Sequence, residues 1–137
     1  MPDPVIQPAT ADGIARSTAL LERWLPAFLA GRRADDDVYA DGVSTWHNAG
    51  EWEAEIRRTP SRTRSVQAGA TLRVEDVRVR VSDDGWVVQS VTVGTSGSGD
   101  PVRIPSCLVV TVRDGRIARF EEYADSRAVE VLFGPRG

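Results

Sequence analysis

The sequence predicts an α+β domain in which N-terminal helices cover the concave face of a curved, cone-shaped antiparallel sheet. Three observations point there. Apolar residues follow a helical period before Gly31, they follow a period of two after Ala70, and turn residues divide that second half into successive hairpins. Helices first and a meander afterwards is the pattern of helices packed on one face of a sheet. A bend in the longest strand would curl that sheet into a half-cone around a pocket.

Residues 1–12 contain Pro2, Pro4 and Pro8 and few apolar groups, so they read as a loose arm ahead of a single domain over residues 13–134. From Gly13 to Ala30, Ile14, Leu21, Leu25, Phe28 and Leu29 recur at spacings near three, four and seven, which places them on one helical face. Asp12 is a candidate N-cap and Gly31 the stop, while Pro26 removes one backbone hydrogen bond and predicts a kink or early break. Residues 32–41 have room for one or two helical turns, 43–47 reads as a short strand, and 51–58 reads as a helix ended by Pro60. Leu72, Val74, Val77, Val79 and Val81 alternate with charged residues, and the skipped beat at Glu75 and Asp76 predicts a bulge. Asp83-Asp84-Gly85 then turns the chain into three further strands, 86–95, 102–113 and 116–124, separated by a Gly/Ser-rich loop and by Asp114-Gly115. Asp125 or Ser126 caps a last helix reaching Phe133.

The chain's 137 residues suit one core. All 17 of its basic residues are Arg, yet 20 acids outweigh them, and a net charge of −3 has the wrong sign for a protein that binds phosphate backbones. Nucleic acid is therefore not an expected partner. One cysteine, Cys107, rules out an intramolecular disulfide, and with a single histidine the chain lacks the ligands of a structural zinc site. No apolar run approaches the roughly 18 residues that cross a bilayer, and Met1-Pro2-Asp3-Pro4 has no basic targeting region, so a cytoplasmic protein without a membrane partner is expected.

Arg23-Trp24-Leu25-Pro26-Ala27-Phe28-Leu29-Ala30-Gly31, then Tyr39-Ala40-Asp41 leading to Trp46-His47-Asn48, and finally Asp114-Gly115-Arg116-Ile117 running into Glu121-Glu122-Tyr123-Ala124-Asp125, together resemble the nuclear-transport-factor-2-like superfamily. Within it the chain resembles the SnoaL-like proteins, relatives of ketosteroid isomerase, limonene epoxide hydrolase and polyketide cyclases. The resemblance implies a cone lined by the first helix, the first strand and the inner sheet face, a frequent homodimer through sheet faces, and chemistry that uses no metal or cofactor. Position by position, Trp24 stands where the isomerase has its oxyanion-donating tyrosine, His47 where it has its base, and Leu108 where it has its second acid. A leucine donates no hydrogen bond, so the isomerase's own constellation is broken. Glu122 matches the water-activating carboxylate of the epoxide hydrolase and His47 its amide, but Ser90 and Thr92 replace the arginine and second aspartate. The cyclase likeness is the most complete, with Glu122 as the acid or base on the last strand.

Strand parity puts Phe120, Glu122 and Ala124 on one face and Glu121, Tyr123 and Asp125 on the other. If Glu122 faces the cone, its carboxylate lies among apolar groups, where desolvation of the charged form suits a group that exchanges protons at neutral pH. The alternative is a structural pair with an arginine such as Arg119. His47 is a candidate partner, hydrogen-bonded to Glu122 as base and orienter, or else a packed core histidine. Trp24, Phe28, Trp52, Phe120 and Leu108 are candidate walls for a small hydrophobic ligand, whereas Trp46 and Trp86 read as core. Ser90, Thr92 and Ser106 offer inward hydroxyls. Arg57, Arg58, Arg62 and Arg64 form either an anion-binding mouth or a solvated face, and the parity of Cys107, opposite to that of Ser106, suggests the outer face or a dimer contact. The leading expectation is a cyclase or isomerase acting on a small hydrophobic carbonyl compound, with His47 and Glu122 moving protons. The alternatives are a non-catalytic binding module and a hydrolase using a water held by that pair.

Overall fold

The computed structural model describes residues 2–6, 9–55 and 69–133. It contains helix α1 (Ala11–Leu29), a 3-10 turn at Asp36–Val38, strands β1 (Tyr39–His47), β2 (Trp52–Glu55), β3 (Thr71–Ser82), β4 (Gly85–Thr95), β5 (Pro101–Arg113) and β6 (Arg116–Ala124), and helix α2 (Ser126–Phe133). The six strands form one curved, open sheet in the order β2-β1-β6-β5-β4-β3, the α+β arrangement expected. Neighbours are antiparallel except β1 and β6, which run parallel, because the last strand returns beside the first after the intervening meander. The Arg57 to Arg64 cluster lies outside the described residues.

Thr10, not Asp12, caps α1, its hydroxyl accepting from the Gly13 amide at 3.0 Å. The helix continues past Pro26 to Leu29, so the expected early break does not occur. Pro26 is exposed, which leaves the carbonyl deprived of its amide on the solvent side, where water can satisfy it. The buried face is also rotated from the predicted one: Gly13, Ser17, Leu20, Leu21, Trp24 and Ala27 face inward, while Ile14 and Leu29 are exposed. Small residues decide this, because Gly13 and Ser17 let the helix settle against the β3–β4 turn.

Residues 52–55 form an edge strand rather than the predicted helix. Four residues are too few for a period to separate helix from strand, and pairing with β1 wins. The bulge predicted at Glu75 and Asp76 is present as a register shift in β3, with Asp76 at a φ of 51°. Asp114 and Gly115, both at positive φ, make the tight β5–β6 turn.

Two cores cover two ends of the concave face. The larger joins Leu20, Leu21, Trp24 and Ala27 of α1 to Trp86, Val88, Val110 and Phe120 of the sheet. The smaller sets Leu132 of α2 against Val102 and Ile104. A band of sheet between them carries the polar residues. Among the described residues, no helix is long and apolar enough to cross a membrane.

Candidate functional site

Register places the site. Across the concave face, Val79, Val88, Leu108, Glu122, His47 and Trp52 stand opposite one another on β3, β4, β5, β6, β1 and β2. The adjacent row holds Ser90, Ser106 and Ala124, and the row on the other side holds Trp86, Val110, Phe120 and Thr45. Trp24 of α1 covers that last row, so Glu122 and His47 lie where the cover of the larger core ends.

His47 Nδ1 and Glu122 Oε1 are 3.0 Å apart, with side-chain exposures of 25% and 36%. An imidazole and a carboxylate within hydrogen-bond reach, both open to solvent, can exchange a proton with a third molecule. The indole of Trp52 stacks on the imidazole at 4.3 Å and 18°. On the other side of the ring, Thr45 Oγ1 lies 3.3 Å from His47 Nε2. The structural pairing of Glu122 with Arg119 is absent: Arg119 is on the opposite face, bonded to Ser44 and Glu53. The Glu53 carboxylate holds the Arg119 guanidinium above its already high ordinary value.

Asn48 and Thr45 were not singled out by the sequence reading. Asn48 donates from Nδ2 to the Ala124 carbonyl and accepts at Oδ1 from the Ala124 amide, each at 3.0 Å, while its own amide donates to the Glu122 carbonyl. The side chain thus extends the parallel pairing beyond β1 and fixes the level at which His47 meets Glu122. An asparagine directly after a strand-ending histidine was the available signal, but side-chain amides beside strand ends are common enough to carry little weight alone.

The expected ligand walls divide. Trp24 is 4% exposed, stacked on Phe28 at 4.8 Å and packed against Trp86 and Phe120, so Trp24 and Phe120 are core and present no free wall. Phe28 is half-buried against the same cluster. Leu108, Trp52 and Ser106 are half-buried beside the dyad, Ser90 is buried one row away, and Thr92 lies toward the smaller core. Trp86 is core as expected, but Trp46 is not: it sits on the convex face against Tyr123, at 5.2 Å. Asp125 caps α2 through the Arg127 and Ala128 amides.

A separate cleft of about 760 Å³ opens at the other end of β1, lined by Arg33, Asp36, Asp37, Tyr39, Asp41 and Arg116 among others. Several of its charged groups already pair with neighbours, Arg23 with Asp37 and Arg33 with Asp36. It lacks the imidazole–carboxylate contact, and chemistry rather than volume selects the dyad as the candidate site.

The chain belongs to the SnoaL-like domain family, whose pattern matches residues 21–120. The fold is shared with a protein of Jannaschia sp. CCS1 that bears the provisional name SnoaL-like polyketide cyclase, at a TM-score of 0.69 and 19% identity over 94% of this chain and 99% of that one. It is similar also to an NTF2-like protein of Burkholderia xenovorans LB400 (TM-score 0.67, 12% identity, 85% of this chain and 94% of the other). A third likeness is to an LEH-like epoxide hydrolase of M. tuberculosis (TM-score 0.55, 22% identity, 90% and 88%). No curated protein matches the chain in sequence. At these identities the likenesses establish the fold, and one fold hosts many chemistries.

Proposed function

We propose that this protein is an acid–base enzyme of the SnoaL-like family, a cyclase or isomerase that removes and returns a proton on a small hydrophobic carbonyl compound. The observation that carries the reading is the His47–Glu122 contact of 3.0 Å, held on the concave face and still open to solvent. Glu122 takes a proton from the carbon beside the substrate carbonyl, and His47 orients the carboxylate. The C–H electron pair moves into the enolate. In isomerisation Glu122 returns the proton to a different carbon; in cyclisation the enolate carbon attacks a second carbonyl of the same molecule and the resulting alkoxide takes the proton. Leu108 and Trp52 supply the apolar contact beside the dyad. The protein acts as a homodimer that pairs through the convex sheet face, where Trp46 and Tyr123 lie together.

The same pair of groups is also suited to holding a water, which supports a second reading, hydrolysis of an electrophilic substrate. The experiment is proton exchange in D2O across cyclic and acyclic ketones, followed by mass spectrometry. Deuterium should enter beside the carbonyl, and Glu122→Gln and His47→Ala should each slow entry by about 10²-fold or more, the usual weight of an acid–base group. Equal rates in wild type and Glu122→Gln would sink the assignment. Binding of the ketones without exchange would make the protein a binding module, and opening of an epoxide with labelled oxygen from water retained in the diol, without ketone exchange, would make it a hydrolase.

A further inference from the structure

His47 has a polar neighbour at each of its ring nitrogens. Its Nδ1 faces Glu122 Oε1 at 3.0 Å and its Nε2 faces Thr45 Oγ1 at 3.3 Å. If the Glu122 carboxylate is ionised it only accepts, the hydrogen between the first pair then belongs to Nδ1, and a neutral ring carries its lone pair on Nε2. A threonine hydroxyl can rotate to donate to that lone pair. Trp52 stacks on one face of the ring, which limits rotation of the imidazole out of this arrangement.

We infer that Thr45 is a positioning residue that occupies His47 Nε2 with its hydroxyl hydrogen, so that the proton acceptor of the site is the second carboxylate oxygen of Glu122 and not the imidazole. The inference deepens the acid–base reading above and rests on it for the catalytic consequence, while the hydrogen-bond network itself does not depend on any substrate. Thr45 and His47 are two residues apart on β1, and strand alternation aims both side chains at the same face. Both ring nitrogens are thereby occupied and Oε2 is the oxygen not engaged by His47. The arrangement suits abstraction from carbon, because a base held at one oxygen keeps its other oxygen in a fixed place without rotation of the carboxyl group.

His47 is the protein's sole histidine, so its ring nitrogens can be observed by 15N NMR without an assignment problem. With the imidazole neutral, the wild-type spectrum should show a protonated Nδ1 and an unprotonated, hydrogen-bonded Nε2. In Thr45→Val the Nε2 signal should move downfield as its hydrogen bond is lost, and Thr45→Ser should return it toward the wild-type position. A protonated Nε2 in the wild type would overturn the inference, with no variant required. An Nε2 signal unmoved by Thr45→Val would also overturn it. These readouts need no substrate, so failure of ketone exchange with the expected spectrum would remove the enzymatic reading and leave the hydrogen-bond network standing.

Discussion

Asn48 shows how much of the candidate site depends on a side chain that performs no chemistry. Its amide replaces the main-chain bonds that β1 can no longer offer Ala124, and each such bond contributes about 0.5–1.5 kcal/mol net. Asn48→Ala should therefore cost about 1–3 kcal/mol in urea unfolding, and it should lower exchange activity even under conditions where the protein remains folded, because the His47–Glu122 level is no longer fixed. Trp24 makes the opposite case. Buried at 4% exposure among Phe28, Trp86 and Phe120, it should cost about 3–5 kcal/mol when truncated to alanine. A Trp24→Ala protein of wild-type stability would contradict that placement. Glu122 is legible from strand parity together with the family resemblance, and His47 from its matched position in that resemblance alone. The sequence did not distinguish a tryptophan that walls a pocket from one that fills a core, since both occupy the inward face of a helix. Thr45 was unreadable for a related reason: its role follows from the rotamer of His47, which no spacing encodes.

The junction between α1 and the β3–β4 turn is held by one small set of contacts. The Thr10 amide and hydroxyl both donate to Asp83 Oδ1, the amide at 2.6 Å, while Ser17 Oγ donates to the Asp83 carbonyl and accepts from the Gly85 amide. A Cβ on Gly13 would meet the Asp83 carboxylate at 1.9 Å. Alanine is intrinsically better than glycine in a helix by about 0.8–1.0 kcal/mol, yet Gly13→Ala should destabilise the wild type by displacing Asp83. In an Asp83→Ala background the same change should stabilise, a reversal that thermal unfolding of the four proteins would reveal. The hydroxyl of Thr10, then its amide, hold the Asp83 carboxyl below its ordinary value, with Arg16 adding a smaller attraction. A carboxyl lowered by folding stabilises above its unfolded value and loses that stabilisation as pH falls through the folded one, so the loss belongs below the ordinary carboxylate value. The decline in stability below about pH 4 should be shallower in Asp83→Asn than in wild type. Legibility at this scale followed length. The long strands and the Asp76 bulge were readable because alternation persists on both sides of the skipped beat, whereas β2 was misread as helix and the buried face of α1 was displaced toward Ile14 and Leu29. Bulky apolar residues dominate a periodicity argument, but it is Gly13, Ser17 and Ala27 that set how closely the helix approaches.

At the scale of the whole molecule, both cores use the concave face, and among the described residues no helix covers the convex one. A sheet face meant for water is expected to alternate toward polar residues. On β3 it does, with Arg73, Glu75, Arg78 and Arg80 exposed. Toward the centre it does not: Trp46, Val109, Cys107 and Val87 are half-buried, Val91 is 8% exposed, and Tyr123 retains 46% exposure while its ring lies 5.2 Å from that of Trp46. Glu121 stands within this band, between Trp46 and Val109, and is ion-paired with Arg119, which also binds Glu53. A largely apolar face whose charged groups are paired among themselves suits a protein–protein contact, and a symmetric pair of identical faces is the commonest way to close one. Light scattering should therefore give a mass about twice the 14.9 kDa of the chain. Tyr123→Arg should shift the mass to that of the monomer without disturbing the site, because Tyr123 points away from Glu122 and the change brings one extra positive charge from each chain into the contact, where it is desolvated. Ketone exchange by the Tyr123→Arg monomer at the wild-type rate would show that each concave site is complete within one chain. A wild-type mass of one chain at high protein concentration would remove the dimer altogether, and the largely apolar convex face would then require another occupant.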